Sequence, residues 1–248
     1  MTAPSSAESA DAWEGHASWW QAEFTEGADP EYVEQILPLA VEWTAGYRQV
    51  LEIGCGEGQV ARAIRAANSA DVVAADPTTN QIVEAARRGG GPTFLQAPAA
   101  PLPFAPASFD AVVVCLVFEH VDDLDGALAE IKRVLRPGGR LVLMVNHPLL
   151  QSPGSGWIDD QVLDPPEQYW RVGSYLTESA NVEEVERGVF IRFLHRPLGR
   201  YVNTMLGLGL QLEQLLEPAP PPGFLVRAPE YPDAADIPRL MVLVARRP

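Results

Sequence analysis

In the run Val50-Leu51-Glu52-Ile53-Gly54-Cys55-Gly56-Glu57-Gly58, an apolar stretch breaks into three alternate glycines with a carboxylate just before them. Gly54, Gly56 and Gly58 lack a Cβ, so the backbone can turn through conformations other residues avoid and a ligand can approach the main chain closely. A helix start after such a turn offers N–H groups with no partner inside the helix. The spacing is Gly-x-Gly-x-Gly, unlike the Gly-x-Gly-x-x-Gly turn that cradles a pyrophosphate, so pyrophosphate is not the expected ligand. Glu52 argues the same way, because a carboxylate at a strand end suits an ammonium or hydroxyl group and repels phosphate. A turn that only connects strand to helix is the alternative reading of the glycines. Proton chemistry points to His120, His147 and His195, since an imidazole with an ordinary pKa of about 6.5 is poised to take a hydroxyl proton at neutral pH. His147 and His195 each also read as a loop or core histidine bonded to backbone, and His120 as a packing or capping residue beside Asp122.

These groups need a frame that brings strand ends together. Periodicity predicts strands over 50–53, 71–75, 93–96, 110–116 and 140–146, with helices over 57–67, 78–88 and 124–136. Ala111-Val112-Val113-Val114-Cys115-Leu116 is apolar at every position, which means both faces are covered, as in a parallel sheet between helices. Strand and helix alternate, so the expected fold class is α/β, a Rossmann-like doubly wound sheet with right-handed crossovers. In Leu135-Arg136-Pro137-Gly138-Gly139-Arg140 the glycines end one helix and the proline prevents its continuation. Residues 1–11 are expected as a disordered tail. Residues 12–46 form an aromatic, helical cap with Trp13, Trp19 and Trp20, in which Pro38 interrupts or kinks the helix. From 47 the main domain runs to 248. Its periodicity dissolves over about 148–195, an expected lid of loop residues, before a helix near Leu198–Leu208 and strands near Leu210–Leu216 and Leu240–Ala245.

VLEIGCGEG resembles motif I of the class I S-adenosylmethionine-dependent methyltransferases, and RVLRPGGRLVL resembles the segment leading into their fifth strand. The resemblance runs from about Tyr47 to the C-terminus and implies seven strands, the last antiparallel and inserted between the fifth and sixth. It also implies S-adenosyl-L-methionine as cofactor, held by Glu52, Gly54, Cys55, Gly56 and Gly58, with Asp76-Pro77 at the ribose, Ala97, Pro98 and Ala99 at the adenine, and Cys115 beside the methionine part. Asp76-Pro77 also reads as a helix start. Many relatives carry a pattern like G-D-A-E-D-L-P-F after the third strand. This chain has Gln96-Ala97-Pro98-Ala99-Ala100-Pro101-Leu102-Pro103-Phe104, so the carboxylate for the adenine amine is replaced by backbone, water or Gln96.

His147-Pro148 and the stretch from His195-Arg196 through Tyr201 and Asn203 resemble a small-molecule subgroup of the family. The implied reaction is O-methylation of a small-molecule hydroxyl, with His147 or His195 as base and both near the transferable methyl. Trp157, Tyr169, Trp170, Tyr175 and Tyr201 are the candidate acceptor contacts. A sugar or glycoside is the first expectation and a phenol or polyketide the second; N- or C-methylation stays open. The competing class is a methyltransferase-like domain that binds the cofactor and regulates without catalysing.

The chain has 248 residues, 47% of them hydrophobic, enough for one large domain with an insertion. A formal net charge of −15 argues against nucleic acid or an anionic membrane as partner. Arg62, Arg65, Arg87 and Arg88 read as solvated helix faces, and the Asp122-Asp123 pair as a helix cap instead of a metal site. No basic leader or apolar span appears, and the two cysteines have no metal-ligand spacing, so a reduced, cytoplasmic setting is expected. The aromatic cap is expected either to cover the cofactor or to meet a second copy of the chain in a homodimer.

Overall fold

The computed structural model describes residues 6–229 and 231–248. Strands β1 (Gln49–Ile53), β2 (Asp71–Asp76), β3 (Thr93–Gln96), β4 (Phe109–Cys115), β5 (Leu135–Asn146), β10 (Gln211–Leu216) and β11 (Leu240–Arg246) form one seven-stranded sheet. Its order is β10-β11-β5-β4-β1-β2-β3, and β11 runs antiparallel to both β5 and β10 while the other pairs are parallel. This is the Rossmann-like arrangement expected, with the last strand inserted between the fifth and sixth strands of the sheet.

Alternate residues of the central strands feed two cores. Leu51, Val112, Val114, Leu141 and Leu143 pack under α5 (Leu124–Val134) and α7 (Leu198–Gly207). Val50, Val113, Val142 and Met144 pack against α3 (Gln59–Asn68) and the segment before β1. Burial on both faces is what makes these strands apolar throughout. Between β2 and β3 lies α4 (Thr79–Arg88).

Three details depart from the sequence reading, and one, at Pro38, gives the expected interruption its form. Ser6–Glu23 is helix α1, so residues 6–11 are helical and only the first five residues of the expected tail lie outside the described residues. Pro38 stands at the start of α2 (Leu37–Trp43), directly after a π-helical turn over Tyr32–Ile36; a residue without an N–H, whose ring crowds the preceding turn, suits such a widened junction. Helix α5 stops at Val134, and Leu135-Arg136-Pro137-Gly138 already belongs to β5, because the position before a proline favours extended backbone. The lid is not loop. After the short α6 (Pro148–Gln151) it folds into two antiparallel hairpins, β6 (Gly156–Asp160) with β7 (Glu167–Arg171) and β8 (Ser179–Glu186) with β9 (Val189–His195). Their outer faces are solvated, with Glu183, Glu184 and Glu186 exposed, which masks the alternation.

Candidate active site

The strand order reverses where β1 separates β2 from β4, and beyond those strand ends lies a cavity of about 460 Å³. That is the place and size expected of a ligand site in an open α/β sheet. Gly54, Gly56 and Gly58 all have positive φ, +71°, +52° and +86°, which strains any residue with a Cβ. They do different work. A Cβ on Gly54 would stand 2.2 Å from Val117 Cγ2 and one on Gly58 2.4 Å from the Phe94 ring, whereas one on Gly56 would have only Trp20 near it, with Nε1 at 3.4 Å. Gly54, Cys55 and Gly56 line the cavity; Gly58 lies behind it as the residue preceding α3.

The turn is held from β2. Ala75 carbonyl accepts the N–H groups of Gly54 and Cys55 at 2.7 and 3.0 Å. Asp76 accepts the Gly56 N–H on Oδ2 and the Thr78 N–H on Oδ1, each at 2.9 Å. Burial raises the Asp76 pKa against the pull of those bonds. Glu52 is 2% exposed and its Oε2 has no partner among the described residues. Burial, helped by the charges of Glu57 and Asp76, pushes its carboxyl well above the ordinary range. A buried oxygen without a partner is satisfied by an incoming cation or donor. This set of groups fits S-adenosylmethionine: a carboxylate for the ammonium, a second for the ribose hydroxyls, and a glycine whose missing side chain leaves room.

Pro77, Pro98, Ala99 and Cys115 also line the cavity, while Ala97 is buried beside it and its N–H donates to the Asp76 carbonyl at 3.0 Å. Gln96 does not turn inward; its amide donates to the Pro77 carbonyl and to Thr79 Oγ1 at 2.8 and 3.0 Å. Burial pushes the Cys55 and Cys115 thiols up, so both stay protonated.

Sequence reasoning left open what the aromatic cap does and did not place its residues in the site. Trp13 and Trp20 of α1, with Tyr32, Gln59 and Gln81, complete the cavity wall. Trp20 stacks on Phe24 at 4.4 Å and meets the Trp13 and Tyr32 rings edge-on at 5.5 and 5.9 Å. The helix is tied across the site by Gln21 to Gln81 and by Glu14 to the Asn80 N–H. The aromatic cap covers the cavity, as one of its two expected roles has it. Three tryptophans in eight residues were the available signal.

His120 is the histidine that lines the cavity, and its Nδ1 lies 2.9 Å from the Arg192 carbonyl. A carbonyl only accepts, so Nδ1 carries the proton and Nε2 the lone pair. Its ring stands edge-on to Trp13 at 4.9 Å and 5.0 Å from Phe193. Burial lowers its pKa to about 4.

The other two histidines do not reach the cavity. His147 caps α6, its Nδ1 accepting the Leu149 N–H at 3.1 Å while Nε2 meets Glu217 at 2.7 Å. His195 donates from Nε2 to the Tyr175 carbonyl at 2.7 Å, tying β9 to the loop between β7 and β8. The expected acceptor aromatics are also elsewhere. Trp157 stacks on Tyr231 at 4.9 Å and meets Trp170 edge-on, Tyr169 is exposed, the Tyr175 hydroxyl accepts the Leu198 N–H, and Tyr201 is buried in the α5–α7 core. None of the five lines the cavity.

Two arginines read as solvated are engaged. Arg62 and Arg88 both pair with the buried Glu57 inside the glycine turn, Arg88 at 3.0 Å. Asp123 caps α5 through the Gly126 N–H at 2.8 Å, and Asp122 pairs with Arg192 at 2.6 Å.

Next to His120, Glu119 is 2% exposed; Oε1 accepts the Asn146 N–H at 2.5 Å and Oε2 has no partner among the described residues. Burial pushes its pKa up to about 7. A raised carboxyl favours the fold below its unfolded value and loses that contribution as pH rises through 7. Glu119→Gln is therefore expected to gain stability over the native chain between pH 4.5 and pH 8, by up to about 3 kcal/mol at 1.36 kcal/mol per pKa unit. Urea midpoints of both proteins at the two pH values check this; a constant difference would remove Glu119 as the titrating group.

Residues 51–143 match the family model described as a methyltransferase domain. A demethylmenaquinone methyltransferase of Thermobifida fusca is 35% identical over 164 residues, 60% of this chain and 67% of that protein. An O-methyltransferase of Aspergillus nomiae is 37% identical over 102 residues, 39% of this chain and 45% of that protein. The chain spans about half the length of most curated relatives it matches. The crystal structure of an S-adenosylmethionine-dependent methyltransferase from Mesorhizobium loti superposes with a TM-score of 0.73 at 24% identity, covering 86% of this chain and 96% of that one, which speaks for the fold. No helix among the described residues is long and apolar enough to cross a membrane. With the strand order, the glycine turn and the two strand-end carboxylates beneath it, these likenesses mean that the chain belongs to the class I S-adenosylmethionine-dependent methyltransferases.

Proposed function

We propose that this chain methylates a hydroxyl of a small-molecule acceptor, with His120 as general base. The observation that carries the reading is an imidazole on the cavity wall whose Nδ1–H is held by the Arg192 carbonyl, leaving the Nε2 lone pair for a substrate proton. S-adenosylmethionine, when bound, supplies a methyl group already activated on a sulfonium. Glu52 takes the ammonium of its amino-acid arm and Asp76 the ribose hydroxyls through charge-assisted hydrogen bonds. Trp13 and Trp20 exclude water and hold the acceptor against the methyl, so positioning supplies much of the acceleration. His120 would receive the hydroxyl proton as the methyl group passes from the sulfonium sulfur to the acceptor oxygen, with neutral S-adenosylhomocysteine as the leaving group.

Sugar stacking, first expected from the insertion's aromatics, draws no support from the cavity wall, since Trp157 and Trp170 pack on each other and Tyr169 is exposed away from it. The apolar wall of Trp13, Trp20, Val117 and Val121 suits the phenol or polyketide class better.

Isothermal titration with S-adenosylhomocysteine, followed by a methyl-transfer screen over phenols and glycosides with product NMR, tests the proposal. An O-methyl product is the expected result. Methylation at carbon or nitrogen, or binding without turnover on any acceptor, would overturn the hydroxyl reading; no binding would overturn the cofactor site.

A further inference from the structure

A second chamber of about 200 Å³ adjoins the cofactor cavity, and the two share Trp13, Trp20, Leu116 and His120 as a common wall. From the residues on its far side we infer that this chamber is the acceptor site and that it takes a neutral phenol of one or two fused rings. The inference rests on the methyltransferase reading above and adds the class of acceptor.

Shape is the first argument. Trp19, Phe24, Ile36, Ile191 and Phe193 face the chamber, presenting ring faces and edges to which a flat aromatic body is complementary. A sugar of that size would bring several hydroxyls, and the wall's polar groups are largely engaged already: Glu31 is held by Arg239, Asp29 accepts the Glu31 N–H, and the Gln35 amide donates to the Ala219 carbonyl. The imidazole of His120 is held in the shared wall between the Trp13 and Phe193 rings. An acceptor lying among the aromatics therefore presents its hydroxyl at the boundary with the cofactor cavity.

Charge is the second argument. Asp29, Glu31 and Arg239 are the chamber's Asp, Glu and Arg residues. Arg239 is already committed: Nε and Nη2 grip Glu31 at 2.7 and 3.1 Å, and its guanidinium lies over the Phe224 ring at 4.0 Å. An acceptor with a carboxylate would meet two carboxyl groups and one neutralised cation. Gln35 and Asn146, the other polar side chains on the wall beside His120, are uncharged and suit a second hydroxyl or a keto group.

The entrance is the third. Val185 on β8 lines this chamber and not the cofactor cavity, and it is 40% exposed. A larger side chain there narrows the chamber without disturbing a core.

The test uses the full chain saturated with S-adenosylhomocysteine and titrates it calorimetrically with 2-naphthol, 6-hydroxy-2-naphthoate and methyl β-glucoside. Expected is binding of 2-naphthol, with the carboxylated analogue at least tenfold weaker and the glucoside weaker again. Val185→Trp and Phe193→Leu should each weaken 2-naphthol severalfold or more while S-adenosylhomocysteine affinity stays within twofold, which also shows that the variants fold. Glucoside or naphthoate bound as well as 2-naphthol, or naphthol affinity indifferent to both substitutions, would overturn the inference and leave the methyltransferase reading intact. Failure of the native chain to bind S-adenosylhomocysteine would overturn both.

Discussion

Gly56→Val is expected to abolish S-adenosylhomocysteine binding, raising Kd at least 100-fold, while the chain stays folded. The Gly56 Cβ would point at the cavity with Trp20 Nε1 at 3.4 Å, so the two methyl groups of valine occupy the space the cofactor needs. Its φ of +52° adds backbone strain of roughly 1–2 kcal/mol for an L-residue, less than the 5–15 kcal/mol of a typical domain. Titration calorimetry and a melting curve on the same sample check both halves. Gly54→Val differs in kind, since its Cβ would strike Val117 at 2.2 Å, and should lower the melting temperature more. Full cofactor affinity in Gly56→Val would take the glycine turn out of the site.

His120→Ala is the second large effect. Removal of a general base lowers turnover by about 10²–10⁴-fold, and S-adenosylhomocysteine affinity should change little, because the strand-end carboxylates and the turn are untouched. A base works only while unprotonated. With its pKa lowered by burial to about 4, native kcat should stay level as pH falls from 8 to 5 and drop only as pH passes 4. A base with an ordinary imidazole pKa would lose half its activity near pH 6.5. The same shift makes the unfolded chain the better proton binder between pH 4 and 6.5, so the stability contribution of a neutral His120 is lost as pH falls through that window. His147→Ala and His195→Ala, which remove a helix cap and a backbone tie, should leave turnover near native. A kcat profile with its midpoint near 6.5, or full turnover in His120→Ala, would move the base elsewhere.

Much of the cofactor side is legible in the chain because its determinants are local. Glu52, the glycines and Asp76 sit at strand ends, and strands apolar on both faces announce themselves within a few residues. A positive φ admits glycine whatever the rest of the fold does, so the turn is readable from three positions. The acceptor side is not. His147 and His195 stand beside strand ends as well as His120 does, and short-range pattern ranks them no lower. His120 is set apart by the Arg192 carbonyl, 72 residues further along, and by Trp13, more than 100 residues back. Likewise, Trp19 and Trp20 face the site while Trp157 and Trp170 face each other and Tyr231, although all are tryptophans near an insertion or cap.

By itself the sequence determined the order of the strands and helices that build the sheet and its layers, and the turn with its carboxylates, but not the hairpins of the insertion, since hydrophobic periodicity and backbone sterics act over a few residues. Only the tertiary structure decided which histidine meets the cavity, that the N-terminal helix roofs it, and that a second chamber lies behind. Those facts depend on how the β8–β9 hairpin and the N-terminal helix, far apart in the chain, pack over the strand ends to bury their aromatic faces.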